Sequence, residues 1–241
     1  MKMKVVIDAH THTLASDHAY STVSENAAAA AQAGLTAMGI TDHVPPIQDA
    51  PDMLHFQNLH VLPDTLCGVK LFRGAELNIC DLEGSLYMPE EIMAHLDYCI
   101  ASFHPVLLKP GDIRENTHAY LKAMDCPFVK IIGHPDDGNV PVDFLQLVQA
   151  AKETNTMLEV NNSSLKAAYY RKNTRENLCE MLKLCEKYGV YVSLGSDAHF
   201  YGAVGRFEEA EDLLEELHFP EELIACTDLD RFLTLLARKT K

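Results

Sequence analysis

At 241 residues, 47% of them hydrophobic, the chain can bury a large core within one domain, and α/β barrels reach this size without splitting. A formal charge of −15 and a pI near 5.1, with no lysine or arginine run, argue against broad contact with nucleic-acid phosphates. Seven cysteines, odd in number and without a Cys-x-x-Cys pair, fit reduced and mostly buried thiols rather than a disulfide framework or a cysteine-held metal cluster.

Met1 to Lys4 leads into the apolar run Val5-Val6-Ile7 without a long hydrophobic stretch, so neither a signal peptide nor a membrane span is expected and the cytoplasm is the default location. The run continues into Asp8-Ala9-His10-Thr11-His12. Side chains of an extended segment repeat every second residue, so Asp8, His10 and His12 share one side. Two imidazoles on one rigid strand supply half of a tetrahedral metal shell. After a loop containing His18, Thr22 and Glu25 have the spacing of a capping box, Ala27 to Ala31 favour helix, and Gly34 is placed to end it.

A second strand over 36–41 runs into Asp42-His43 and is stopped by Pro45-Pro46. Residues 44–68 read as loop and short helix, with His55 and His60 as surface residues. The third strand, 69–77, carries Glu76 at its far end; the fourth, 97–103, ends in His104-Pro105; the fifth, 128–133, ends in His134-Pro135. Strand six, 156–160, ends in Asn161-Asn162-Ser163, and strand seven, 190–194, in Gly195-Ser196-Asp197-Ala198-His199. Helices over 114–124, with His118 on its surface, 141–153, 174–188, 206–217 and 228–238 fill the intervals.

Seven strands alternating with helices, uninterrupted by a linker, predict a single α/β domain over 1–241: a TIM-like (β/α)7 barrel of parallel strands, whose C-terminal ends share one face. Seven of the twelve histidines, with Glu76 and Asp197, fall at or just after those ends. One such residue alone reads as a core or surface side chain; the set does not.

His10-x-His12, His18, His43, Glu76, His104, His134 and Asp197-x-His199 together resemble the nine-ligand signature of the polymerase and histidinol phosphatase (PHP) family, from Val5 to at least Phe207. Thr41-Asp42-His43, Glu159-Val160-Asn161-Asn162-Ser163-Ser164 and Gly195 to His199 are most similar to its stand-alone YcdX-like phosphatases. The resemblance implies a distorted seven-stranded barrel with three divalent ions, zinc above all, with manganese or iron also used. His10, His12, Glu76 and Asp197 would hold one ion. Glu76 would bridge to a second held by His104 and His134, and His18, His43 and His199 would hold the third.

Such a site suits hydrolysis of a small phosphate monoester: two metals can share a water, lower its pKa and present hydroxide, while the third steadies a phosphoryl oxygen. No serine or cysteine nucleophile is needed, and Asp197 or His199 is the candidate for moving a proton to the leaving group. Asp8 and Asp42 are expected to accept the outer N–H of ligand histidines. For substrate contact the chain offers Lys166, Tyr169, Tyr170, Arg171 and Lys172 after strand six and Arg206 after strand seven, with Arg171 or Arg206 on the phosphate or leaving group. A histidinol-phosphate phosphatase, a nuclease of the same family and a metal-binding module without turnover are the alternatives. An amidohydrolase is disfavoured, because it would combine a lysine with fewer metals.

Overall fold

The computed structural model describes residues 3–48, 50–166 and 170–237. Runs of apolar residues build eight strands: β1 (Ile7–Asp8), β2 (Ala37–Ile40), β3 (Thr65–Leu66), β4 (Val69–Asn78), β5 (Tyr98–Ser102), β6 (Val129–Gly133), β7 (Met157–Asn161) and β8 (Val192–Gly195). All but β3 pair in parallel in the order β1-β2-β4-β5-β6-β7-β8. Their side chains are buried on both faces, as a parallel sheet covered by helices requires. β3 adds a short antiparallel hairpin arm to β4, inside the stretch that the sequence assigns to loop and short helix.

The first and last of the seven parallel strands also meet. Ala9 N–H donates to Leu194 O at 3.1 Å, Asp197 N–H to His10 O at 2.9 Å and His12 N–H to Ala198 O at 2.9 Å. These bonds close the seven parallel strands into the expected barrel and bring His10-x-His12 beside Asp197-x-His199.

Helices α1 (Val23–Gln32), α2 (Met53–Asn58), α3 (Glu90–Met93), α4 (Ile113–Met124), α5 (Phe144–Thr154), α6 (Asn162–Lys166), α7 (Thr174–Tyr188), α8 (Glu208–Glu216) and α9 (Leu229–Ala237) lie between and after the strands. The Thr22–Glu25 capping box forms as its spacing predicts, and a second one, Asp112–Glu115, starts α4. α5 begins later than expected because the Asp143 side chain accepts the Gln146 N–H and fixes the cap there. Gly189 ends α7 in the left-handed conformation, φ 64°.

The core is one continuous cluster of buried apolar side chains. At the strands' N-terminal ends it is closed by α9, whose buried Phe232 ring lies 5.3 Å from Phe72 and 5.9 Å from Tyr98. No helix among the described residues is long and apolar enough to cross a membrane, and the seven cysteines are all free thiols.

Candidate metal centre

Parallel strands deliver their C-terminal ends to one face, and all nine candidate ligands lie on or just beyond that face. Glu76, near the end of β4, is at the centre. Its Oε1 is 3.5 Å from His10 Nε2, 3.4 Å from His104 Nε2 and 3.1 Å from His134 Nε2. Its Oε2 is 2.7 Å from His43 Nδ1 and 3.7 Å from His12 Nε2. Asp197 Oδ1 approaches His12 Nε2 at 3.2 Å and His10 Nε2 at 3.8 Å. His18 sits at the open edge, its ring 4.3 Å from His199 and 5.2 Å from His43.

Three groups bring donor atoms close enough to share one ion: His12 with His43 and His199, His10 with His12 and Glu76, and His43 with Glu76 and His104. His12, His43 and Glu76 each belong to two of them.

The imidazoles are oriented from behind. His10 Nδ1 is 2.8 Å from Glu159 Oε1, His104 Nδ1 is 2.7 Å from Asn78 Oδ1, and His199 Nδ1 is 3.0 Å from the carbonyl oxygen of Asp197. A ring whose Nδ1–H is held by an acceptor presents its Nε2 lone pair on the other side. His199 Nε2 is buried and has no hydrogen-bonding partner among the described residues, which is costly unless a cation takes it. Imidazole nitrogens converging on carboxylate oxygens, with an orphaned buried acceptor among them, are a donor set that fits divalent transition metals.

Glu159 ties several parts of the site together. Besides His10 it accepts the backbone N–H of His134 at 2.7 Å and the Asn161 side-chain amide at 3.2 Å. Asn161 also donates to Asp197 Oδ2 at 3.2 Å. His134 and Asp197 both have positive φ, 30° and 53°, a conformation that costs a non-glycine residue about 1–3 kcal/mol and persists only where neighbours enforce it. Gly195 is required beside them, because a Cβ there would meet Glu159 Oε1 and His10 Cβ.

Asp8 and Asp42 do not take the expected place behind the ligand imidazoles; Glu159 and Asn78 do. Asp8 instead accepts backbone N–H groups from Ser196 at 3.0 Å, Gly205 at 2.9 Å and, weakly, His10 at 3.4 Å, pinning the β8 exit to β1. Asp42 accepts from Thr13 and from Ser16, whose Oγ lies 3.4 Å from His12 Nδ1, so its influence on His12 passes through a serine. His55 Nε2 lies 3.3 Å from Asp42 Oδ2, so His55 supports the site from outside rather than being an idle surface residue.

Burial alone pushes Glu76 and Asp197 up. For Glu76 the surrounding His10, His104 and His43 outweigh it, and for Asp197 His10, His12 and Arg171 do, leaving both carboxyls ionised well below the usual range. Burial, with His43 and His199 nearby, pushes His12 down to about 3, and burial pushes His104 down to about 4. Both rings are therefore neutral at physiological pH, the state in which an imidazole can act as a ligand.

Of the expected substrate contacts, Arg171 lies partly buried beside the site, its side chain 10% exposed. It reaches Ser164 Oγ at 2.7 Å, Asn161 Oδ1 at 3.3 Å and Asp197 Oδ2 at 3.3 Å. Arg206 is exposed and pairs with Glu208 at 3.2 Å, and Lys166 pairs with the same carboxylate at 3.6 Å. The Lys172 backbone bonds to Asp137 and Gly138, securing the loop; Tyr169 lies outside the described residues. A cavity of about 440 Å³ opens over Glu76, Asp197, His199 and Arg171, within the range of small-molecule sites. Asn78 carries little sequence signal, and Glu159, although part of a stretch the resemblance singles out, shows no role there, since one amide and one acid inside apolar strands gain meaning only from partners 26 and 149 residues away.

The chain matches the family model of the PHP domain over residues 8–218. It is 44% identical over 239 residues to a probable phosphatase of Clostridium novyi, covering 99% of this chain and 97% of that protein. A probable phosphatase of Acetivibrio thermocellus is 43% identical over 237 residues, 98% of this chain and 97% of that one. Among solved structures, the histidinol phosphate phosphatase of Lactococcus lactis, complexed with zinc, L-histidinol and phosphate, superposes with a TM-score of 0.63 at 18% identity, covering 91% of this chain and 95% of that one. A chain of archaeal ribonuclease P with mature tRNA gives 0.58 at 13% identity, covering 95% and 89%. At these identities the structural matches speak to fold alone.

Proposed function

The chain belongs to the PHP domain family, and from that premise we propose that it is a metal-dependent phosphoesterase hydrolysing a small phosphate monoester. The observation that carries this reading is the Glu76 carboxylate among five imidazoles, several of them locked from behind so that Nε2 faces inward. The relatives named probable phosphatases support the same reading.

Three divalent ions, zinc first and manganese or iron as alternatives, fit nine donors. His10, His12, Glu76 and Asp197 would hold one, Glu76 with His104 and His134 the second, and His18, His43 and His199 the third. Metals bound there supply a nucleophilic water of lowered pKa and positive charge against the phosphoryl oxygens.

The chain's own residues do the rest. Arg171 holds Asp197 and directs its guanidinium at the cavity, where it meets phosphoryl oxygens. Asp197 or His199, both at the cavity wall, would take the proton that the attacking water loses and pass it to the departing oxygen. Glu159, Asn78 and Ser16 keep the rings of His10, His104 and His12 from turning, so that positioning is set before substrate arrives.

The test is hydrolysis of a generic aryl phosphate by purified protein whose bound metals are counted in the same sample, repeated after chelation and after restoring zinc or manganese. Turnover that follows about three ions per chain supports the proposal. Full metal loading with no turnover on any phosphate ester would overturn it in favour of a metal-binding module. The net charge of −15 weighs against a nuclease.

A further inference from the structure

A second cavity, about 360 Å³, adjoins the first and shares Ser163, Tyr170, Asp197 and His199 with it. Its walls differ in character. Tyr20, Tyr170 and Phe200 line it with 72%, 45% and 49% of their surfaces exposed, and Lys166 and Arg206 stand beside them. Large aromatic side chains left open in a concave wall suit a planar ring.

The position of these rings along the chain matters more than their number. Tyr20 follows His18 by two residues, Phe200 follows His199 directly, and Tyr20 N–H donates to His199 O at 2.7 Å. Two of the three rings are therefore built onto the segments that carry the exposed-edge candidate ligands. Glu76, His10 and His12 lie in the fully buried interior. A phosphate reaching that interior must leave the remainder of its ester on the open side, where this cavity lies. The charge there is also specific: Lys166 and Arg206 share the carboxylate of Glu208, and Asp197, also in the wall, is paired by Arg171 at 3.3 Å, so three cations face two carboxylates and one positive charge stays in excess.

We propose that this second cavity is the leaving-group subsite and that it selects phosphate monoesters whose alcohol portion carries a planar ring and a further negative charge. The proposal rests on the phosphoesterase reading for its chemistry, and it disfavours alcohols bearing an ammonium group.

Affinity for non-hydrolysable phosphonates tests it separately from turnover. Calorimetry on metal-loaded protein would compare cyclohexylmethyl-, benzyl- and 4-carboxybenzylphosphonate. A ring-selective wall binds benzyl about three- to tenfold tighter than the more hydrophobic cyclohexylmethyl compound, and the excess charge adds a similar factor, about three- to tenfold, for the carboxylate. Phe200→Ala shrinks the first ratio. Arg206→Gln shrinks the second, because Glu208 then neutralises the remaining lysine.

Ratios near one in the wild type, ratios unchanged in both variants, or no phosphonate binding at all would overturn the subsite. The corresponding phosphate esters are assayed in parallel. Hydrolysis with flat phosphonate ratios defeats the subsite and leaves the phosphoesterase reading standing; selective binding without hydrolysis does the reverse.

Discussion

At the scale of single residues, the geometry of the site depends on side chains that touch the candidate ligand histidines as well as on those histidines. Glu159 is the clearest case, since it holds the His10 ring and the His134 backbone together. Glu159→Ala is expected to lower metal affinity about 10–100-fold, read by competition with a chromogenic chelator; unchanged affinity would show that packing alone orients His10. Asp136 offers a contrasting test. Burial pushes its pKa up to about 6 although Arg171, His134 and a weak contact from the Ser164 hydroxyl pull the other way, and neither carboxylate oxygen has a well-formed hydrogen bond among the described residues. A raised folded pKa gives stability that is complete below the unfolded value and disappears as pH rises through about 6. Asp136→Asn should therefore gain on the wild type between pH 4.5 and 7.5, by about 2 kcal/mol in urea unfolding of metal-free protein. A pH-independent difference would remove Asp136 from the account. Among the nine candidate ligands, a period of two marks His10, His12, Asp197 and His199 and a proline close behind marks His43, His104 and His134, whereas His18 and Glu76 were legible only through the resemblance to the PHP family. Asn78 was not, because strand register chooses its partner, and Glu159, although it stands in a stretch that the resemblance singled out, gave no sign of its role because barrel closure brings its partners together. The roles expected of Asp8 and Asp42 failed for a related reason: proximity in sequence to a histidine says nothing about which backbone N–H groups the closed barrel will bring nearer.

At the scale of elements, the seven parallel strands and the long helices follow from apolar runs and caps visible in the sequence, with boundaries moved by specific side chains. β4 extends one residue beyond the expected strand, and that residue is Asn78, which bonds both the Val44 carbonyl and the His104 ring. The arm β3 escaped notice because two residues, Thr65 exposed and Leu66 half-buried, carry no periodic signal. Neighbouring strands approach closely where glycine permits it. A Cβ on Gly39 would collide with the Tyr98 hydroxyl, which donates to Ala9 O at 2.6 Å and so joins β5 to β1 across the barrel interior. Gly39→Ala is expected to destabilise the protein by about 1–3 kcal/mol, and adding Tyr98→Phe should recover part of that loss by removing the colliding oxygen. Thermal unfolding of the two single variants and the double variant gives the coupling; strict additivity would refute the collision.

At the scale of the whole molecule, the two ends of the barrel carry separate duties. Phe232 and its aromatic neighbours close the strands' N-terminal ends, whereas the candidate ligands gather at the C-terminal ends. Phe232→Ala should cost about 3–5 kcal/mol while leaving the number of ions bound per folded chain unchanged, as unfolding curves and metal counting on the same preparation would reveal. Loss of metal in step with stability would mean that the ends are coupled. The hydrogen bonds that join His10 and His12 to Asp197 and Ala198 have a consequence in time. At about 5–20 residues per second of synthesis, roughly 10–40 s separate the emergence of His12 from that of His199. Throughout that interval the nascent chain exposes a His-x-His pair that has no partner strand and only part of a coordination shell. On the proposed reading a complete shell forms only with the last parallel strand, so a loaded centre would certify that translation has passed it and that the ring of strands has shut.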